Sequence, residues 1–534
     1  MSVTTDILVV GGGATGLGVA WDATLRGFKT ILLEKGDLAH GTTGRYHGLL
    51  HSGGRYVVRD PQSAAECYRE NLILKRLMPT AIEDTGGFFA SVPGDPPDYV
   101  DKFVAGCRAA GIPAEEVPLP LALKEEPLLN PQMVRIFRVP DGSCDSFDAL
   151  HLLSESITAA GGVVRLRHKV VRLLLEGDRV TGAEAEDVLT GERTIFHAQL
   201  VINCAGAWGG QIAKLAGCHL EVLPGKGTMV AMNVRMVHTV INRLKPPSDG
   251  DILVPIGTVA VIGTTEVVVQ DPDQYRIEDS EIDLLLGEGE KLIPHFREFR
   301  ALRAWAGVRP LFKDHKTPVE GDSRLVSRAH AILDHASRDG VEGFISISGG
   351  KFTTLRLMAE QALDMACRKL KTQRPCRTAE TPIDPPGKPF YTLGQRLKAV
   401  ESSTANPDVV CECELVTRAQ VEEALKHSGS RVLNDLRRDL RLGMGPCQAG
   451  FCAYRATGIL HEMAATAPSA ETVRGFNSAL VEFLQERWKG MRPLLWGANL
   501  RQLELDQNIY RNLLGVDGLP LQREPEEYPT EKTA

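Results

Sequence analysis

Nowhere does this sequence run apolar for the ~18–20 residues that a bilayer-spanning helix needs, so membrane contact is expected only peripherally or through a partner. It has no surplus of basic charge: 61 Lys and Arg against 68 Asp and Glu leave a formal net charge of −7. Without a broad positive field, nucleic-acid binding is not expected. The opening MSVTTDILVVGGG lacks the basic region of a secretory leader and reads as a buried first strand. Internal repeats are absent. A disulfide framework is not visible either: of eleven cysteines, seven are scattered and four crowd between Cys411 and Cys452. In a reducing compartment that crowding favours metal over cross-links, and the expected compartment is the cytoplasm.

What remains is an ordinary globular composition, 43% hydrophobic and 24% charged, in a chain of 534 residues that asks for more than one core. The apolar run Asp6 to Val10, the turn Gly11 to Gly16, a helical pattern through about Arg26 and the run Thr30 to Leu33 predict one βαβ unit. Further β-like runs lie at Val163 to Leu174, Gln199 to Asn203, Met229 to Val234, Asp251 to Ile256, Val259 to Thr264 and Phe344 to Ser348. Helical patterns near Ser63 to Leu77, Pro97 to Ala110, Ser146 to Ala160, Ile277 to Ile293 and Thr354 to Leu370 alternate with them. The pattern predicts an α/β core with an antiparallel insertion, mainly over about 220–310. The stretch TQRPCRTAETPIDPPGKP cannot build a core and predicts a linker over 371–408. Beyond it come a cysteine-bearing segment, 409–463, and a tail, 464–534, read as a docking segment with core packing as the alternative.

Gly11, Gly13 and Gly16 form G-x-G-x-x-G between strand and helix, and Glu34 closes the next strand. The first glycine permits a tight turn, the second lets backbone N–H groups approach a pyrophosphate, and the third lets helix pack on sheet, while Glu34 can accept from ribose hydroxyls. Alone the motif does not separate NAD from FAD. In the cysteine segment, Cys411 and Cys413 form C-x-C, and Cys447 and Cys452 form C-x4-C within GMGPCQAGFC. Four thiolates can hold a [2Fe–2S] cluster, a [4Fe–4S] cluster or zinc, and the one-residue spacer argues mildly against zinc.

Taken with GTTGRYHGLLHSGGRY, NCAGAWG, AGVRPL, SGGKFTT and ERWKG, these motifs resemble the glycine oxidase and D-amino-acid oxidase superfamily of flavoproteins. Within it the chain is most similar to the FAD-dependent glycerol-3-phosphate dehydrogenases of the anaerobic A-subunit type. The resemblance implies an FAD-binding Rossmann-like domain with an antiparallel substrate sheet over 1–370. It places Gly11, Gly13, Ala14, Thr15, Gly16, Glu34, Lys35 and Val170 at the ADP end of FAD. Thr42, Thr43, Gly44, His47, Ala205, Gly206, Trp208 and the Gly349, Gly350, Lys351, Phe352, Thr353 run complete the cofactor set.

The same resemblance puts His51, Arg55, Tyr56, Arg309 and Lys351 around the substrate. Arginines suit a phosphate because guanidinium binds it bidentately, and His51 suits a base because its unperturbed pKa lies near operating pH. Asp141 and Asp145 read as structural turn residues. The cysteines resemble the helical [2Fe–2S] domain of the bacterioferritin-associated ferredoxin type, from which C-x4-C departs by two residues.

The implied reaction is oxidation of sn-glycerol 3-phosphate to dihydroxyacetone phosphate. Electrons would leave through the cluster to electron-accepting flavin or iron–sulfur partner subunits, and then to quinone at the inner membrane. A 2-hydroxy-acid or amino-acid dehydrogenase on the same scaffold, and a non-catalytic electron-transfer protein, stand as alternatives.

Overall fold

The computed structural model describes residues 2–312, 329–384, 390, 392–403, 408–427, 432–464 and 468–522. The acidic end of the tail and parts of the expected linker lie outside the described residues. The chain forms two compact units: Met1–Val230 with Val234–Glu298 and Trp305–Phe390, and Ala231–Asn233 with Phe299–Ala304 and Tyr391–Ala534.

In the first unit, β1 (Ser2–Val10), α1 (Ala14–Leu25) and β2 (Thr30–Leu33) form the expected βαβ unit, with β1 and β2 parallel. The parallel set extends from β2 to Val163–Arg165 and from β1 to Arg193–Asn203 and then Phe344–Gly349. The runs Ile7–Val10, Thr30–Leu33, Leu200–Asn203 and Phe344–Ser348 of these strands are buried throughout, as parallel strands covered by helices must be. Trp21 and Leu17 of α1, Leu150 and Leu153 of Ser146–Ala159, and Met358 and Leu363 of Leu355–Lys369 fill the core on one side. A hairpin, His168–Glu176 with Arg179–Asp187, pairs with the start of Arg193–Asn203. The run Val163 to Leu174 is thus two strands: Arg167 between them has φ of 63°, a left-handed bend that periodicity does not reveal.

The second sheet runs Val267–Val268, Val222–Met232, Val259–Gly263, Ile252–Ile256, Val240–Arg243, Gly87–Ser91, Arg135–Val139 and Glu115–Glu116, with Ala301–Phe312 also paired to Val222–Met232. It draws three strands from 87–139, outside the expected 220–310. Gly87–Ser91, GFFAS, is buried throughout and carries no alternation to read. Expected helices appear at Pro61–Leu77, Asp98–Ala110, Asp279–Leu292 and Leu355–Lys369.

The linker expectation is corrected over 371–384. The Ile383 and Asp384 amides donate to the Leu77 carbonyl, Asp384 accepts from the amide and hydroxyl of Thr80, and buried Thr378 accepts from Arg356. Polar pairing holds this stretch without an apolar face. The helix Leu393–Ser402, opened by a Thr392–Gln395 capping box, occupies another part of it.

The second unit is mostly helical: Arg418–His427, Leu433–Leu440, Ala453–Met463, Ala470–Trp488 and Gly497–Gln507 follow a small hairpin, Val409–Cys411 with Val416–Thr417. Its core joins Cys411 and Cys452 to Leu480, Phe483, Leu484 and Tyr510. The described part of the tail contributes to this core, because Ala470–Trp488 presents an apolar face to Ala453–Met463. Among the described residues no helix is long and apolar enough to cross a membrane.

Candidate functional site

The C-terminal ends of four parallel strands deliver Gly11, Glu34, Ala205 and Gly350 to one cavity of about 960 Å³, the place where open parallel sheets bind ligands. Gly11 has φ of 114°, and a Cβ there would lie 2.6 Å from the Cys204 carbonyl oxygen, so only glycine makes this turn. Gly13 offers α1 no capping side chain, which leaves the helix start suited to an anion. Thr43 Oγ1 accepts from the Ala14 amide at 3.1 Å, tying the 41–45 turn to the helix start.

Glu34 is buried, its two carboxylate oxygens accepting from the Gly12 and Gly36 amides at 2.6 and 2.7 Å. Burial raises its pKa while those amides oppose the shift. Each oxygen keeps a second lone pair, which suits vicinal ribose hydroxyls. The Lys35 ammonium lies 4.2 Å over the Trp208 ring, whose Nε1 donates to Asp273 at 2.7 Å.

The other end of the cavity is built by two glycine-rich segments. The His51 amide donates to Thr353 Oγ1 at 3.1 Å, joining HSGGRY to SGGKFTT. The His51 and Tyr56 rings lie 5.4 Å apart, and Lys351 Nζ sits 4.7 Å over the Tyr56 ring. Beneath the loop, buried Asp141 accepts from the Ser52 amide at 2.6 Å and from Asn242 at 3.0 Å. Asp145 caps the helix Ser146–Ala159. Both aspartates are structural, as expected.

Arg55 pairs with buried Asp251 at 2.8 Å and reaches the Ser248 carbonyl at 3.4 Å. Burial works against its charge, and Asp251 more than restores it, so its pKa rises. Arg309 pairs with Glu266 at 2.6 Å and donates to Thr264 Oγ1 and the Thr265 carbonyl. Gly227 gives it room: a Cβ there would lie 2.4 Å from the guanidinium.

His51, Arg55, Tyr56, Arg309 and Lys351 thus line the same cavity as Gly11, Gly13, Ala14, Thr15, Glu34, Lys35, Thr42, Thr43, His47, Val170, Ala205, Gly206, Trp208 and the run Gly349 to Thr353. Gly16 and Gly44 do not line it. A Cβ on Gly16 would lie 1.8 Å from the Gly11 carbonyl, and one on Gly44 would lie 2.3 Å from the Ala39 carbonyl; both permit packing and touch no ligand space. The carboxylates Asp251 and Glu266 escaped the sequence reading. Their only sequence signal is an acid placed beside a buried apolar strand, which calls for a cationic partner.

In the second unit, Cys411 interacts with Cys452 and Cys413 with Cys447, so the four thiols form two neighbouring pairs. Cys411 and Cys452 are buried; Cys413 and Cys447 are half-buried. Gln448 and Ala449, with φ of 49° and 73°, coil the C-x4-C spacer back so that Cys452 meets Cys411. Gly445 lies against Cys413, where a Cβ would come within 2.1 Å of the cysteine Cβ. Two convergent thiol pairs in a mostly apolar pocket fit a cluster that takes two thiolates on each iron.

Comparison with known proteins agrees with both halves. Residues 6–365 match the model of FAD dependent oxidoreductases, and residues 409–462 that of the BFD-like [2Fe-2S] binding domain. The A-subunit of the anaerobic glycerol-3-phosphate dehydrogenase of Escherichia coli (strain K12) is 41% identical, covering 97% of this chain and 98% of its own length. The A1-subunit of the Haloferax volcanii enzyme of the same name is 40% identical over 97% of this chain and 92% of its own. The chain belongs to the anaerobic glycerol-3-phosphate dehydrogenase A-subunit family. As a member of this family it is an FAD-dependent oxidoreductase with a [2Fe–2S] cluster. The fold agrees with that of the glycerol-3-phosphate dehydrogenase from Bacillus halodurans complexed with FAD, at a TM-score of 0.59 and 20% identity, covering 98% of this chain and 97% of that one.

Proposed function

We propose that the protein oxidises sn-glycerol 3-phosphate to dihydroxyacetone phosphate. The observation that carries this reading is a cavity combining an FAD cradle with two carboxylate-held arginines, Arg55 and Arg309, in a chain 41% identical to a protein named as part of an anaerobic glycerol-3-phosphate dehydrogenase. FAD, when bound, accepts the two electrons of the carbinol C–H bond as a hydride.

The residues divide the rest of the work. Arg55 and Arg309 hold the phosphate, each guanidinium anchored by its carboxylate at the cavity wall. His51, fixed through its backbone to Thr353, takes the C2 hydroxyl proton. Lys351 and Tyr56 hold the C2 oxygen. Gly11 to Thr15 and Glu34 bind the ADP end, and Gly349 to Thr353 meet the isoalloxazine end. Cys411, Cys413, Cys447 and Cys452 are the cluster ligands. A cluster passes electrons one at a time, which suits delivery to electron-accepting partner subunits, and through them to quinone at the membrane. With no membrane-crossing helix among the described residues, attachment there falls to those partners.

The test is an anaerobic visible spectrum of the purified protein before and after sn-glycerol 3-phosphate, with a 2-hydroxy acid as comparison. Bleaching of the flavin band by the phosphate compound alone is expected. Bleaching by the hydroxy acid alone would assign Arg309 to a carboxylate and overturn the phosphate reading.

A further inference from the structure

Outside every motif of the flavin and cysteine sites, Arg300 is built into the cysteine unit from a distant part of the sequence. Arg300 lies in Phe299–Ala304, a segment that belongs to the second unit. Its carbonyl accepts from the Asn233 amide at 2.9 Å, which fixes its backbone. Its guanidinium donates to the Pro446 carbonyl at 3.1 Å, one residue before Cys447. Its Nε is buried and meets no hydrogen-bond acceptor among the described residues. A buried N–H without an acceptor is destabilising, so the site calls for one. Asp506, Cys447 and Cys413 interact electrostatically with this guanidinium.

Asp506 stands on the same loop from another side. It is fully buried; one oxygen accepts from Gln502 at 2.8 Å, and the other has no partner among the described residues. Its carboxyl presses on Gly450, between the two cysteines of C-x4-C, where a Cβ would lie 2.2 Å from Oδ1. One cation and one acid therefore flank the turn that carries Cys447 and Cys452.

We propose that Arg300 is a positioning residue for the [2Fe–2S] cluster, anchoring the Pro446–Cys447 turn and raising the cluster's reduction potential by its positive charge. The inference rests on the reading that the four cysteines ligate the cluster. Reduction adds one negative charge in a weakly screened pocket, and a fixed neighbouring cation stabilises the reduced form more than the oxidised one. Asp506, whose pKa burial pushes up to about 7, opposes it once ionised.

The experiment is a redox titration of the full-length protein followed by the EPR signal of the reduced cluster, with iron and acid-labile sulfide measured on each sample. Arg300→Gln is expected to lower the reduced-to-oxidised ratio at a fixed ambient potential by about tenfold, a midpoint about 59 mV lower for a one-electron couple. Arg300→Lys, which keeps the charge, should stay near the unsubstituted protein. Should Arg300→Gln fail to retain iron, Asp506→Asn in alkaline buffer decides, and it is expected to raise the midpoint. An unchanged midpoint in an iron-replete Arg300→Gln sample, or an equal fall in the lysine and glutamine variants, or no rise in Asp506→Asn when that variant decides, overturns the inference. A cluster that survives with Cys411 and Cys413 both replaced by alanine overturns the ligand reading beneath it.

Discussion

The two substrate-end arginines are half of their own ion pairs, and that changes what removing them does. Arg309 is about a quarter exposed, while its partner Glu266 is buried. Arg309→Ala deletes the cation proposed to hold the phosphate and also strands a buried carboxylate. We expect kcat/KM for sn-glycerol 3-phosphate to fall about 100-fold, and stability to fall by about 2–3 kcal/mol after allowing for solvent screening. The double variant Arg309→Ala with Glu266→Gln should recover most of the stability and none of the activity. Denaturant melts paired with steady-state kinetics check both; recovery of activity would remove Arg309 from the substrate site.

His47 shows a second residue-scale effect. Its Nδ1 accepts from the Leu49 amide at 3.1 Å, so the neutral ring carries its proton on Nε2. Burial, reinforced by Arg309 and Arg55, pulls its pKa down to about 3, against about 6.5 in an unfolded chain. Between those values the unfolded chain binds a proton that the folded chain refuses. Stability is therefore fully present above about pH 6.5 and declines as pH falls, by at most about 1.4 kcal/mol per pH unit. Thermal midpoints measured from neutral pH down to mildly acidic pH should drop more steeply for the native protein than for His47→Gln. Parallel slopes would show that another group governs acid sensitivity.

At the scale of elements, the helix Ala470–Trp488 and the Tyr510 turn supply Leu480, Phe483, Leu484 and Tyr510 to the core that contains Cys411 and Cys452. The Tyr510 hydroxyl donates to the Ala449 carbonyl at 3.2 Å, inside the cysteine loop. Truncation after residue 464 opens this core, and each large side chain lost costs roughly 2–5 kcal/mol. Such a chain is expected to hold little iron per mole while retaining FAD, a result that iron assay and the flavin spectrum report together. Full iron occupancy in the truncated chain would make the tail dispensable.

At the scale of the whole molecule, two compact units divide the proposed chemistry: a cavity for hydride abstraction in one, and four thiols for single-electron transfer in the other. Cys411→Ser should therefore leave anaerobic flavin reduction by substrate intact and block delivery to an artificial acceptor or quinone. If substrate no longer bleaches the flavin in that variant, the cluster supports the fold of the whole enzyme rather than only conducting electrons.

Much of this was legible in the chain itself. The glycine spacing of Gly11, Gly13 and Gly16 with Glu34 at a strand end reports a backbone that must turn tightly and pack closely, and those demands are local. The same holds for the C-x-C and C-x4-C pairs and for the periodic helices. The second sheet was only partly legible, because Gly87–Ser91 is buried on both faces and shows no alternation, and its neighbour Val240–Arg243 is remote in sequence. The linker was overestimated because Asp384 and Thr378 are held by polar partners, which composition cannot foresee.

By itself, then, the sequence determined the glycine turn with Glu34 and the thiol set, since both depend on short-range spacing, while the list of cavity residues came through resemblance to a known family. Tertiary structure alone decided that Asp251 and Glu266 hold the arginines, that the tail completes the core around the cysteines, and that Arg300 stands beside Cys447. Those are contacts between segments far apart in the chain, fixed by packing and by the need of buried charges for partners, and no local pattern encodes them.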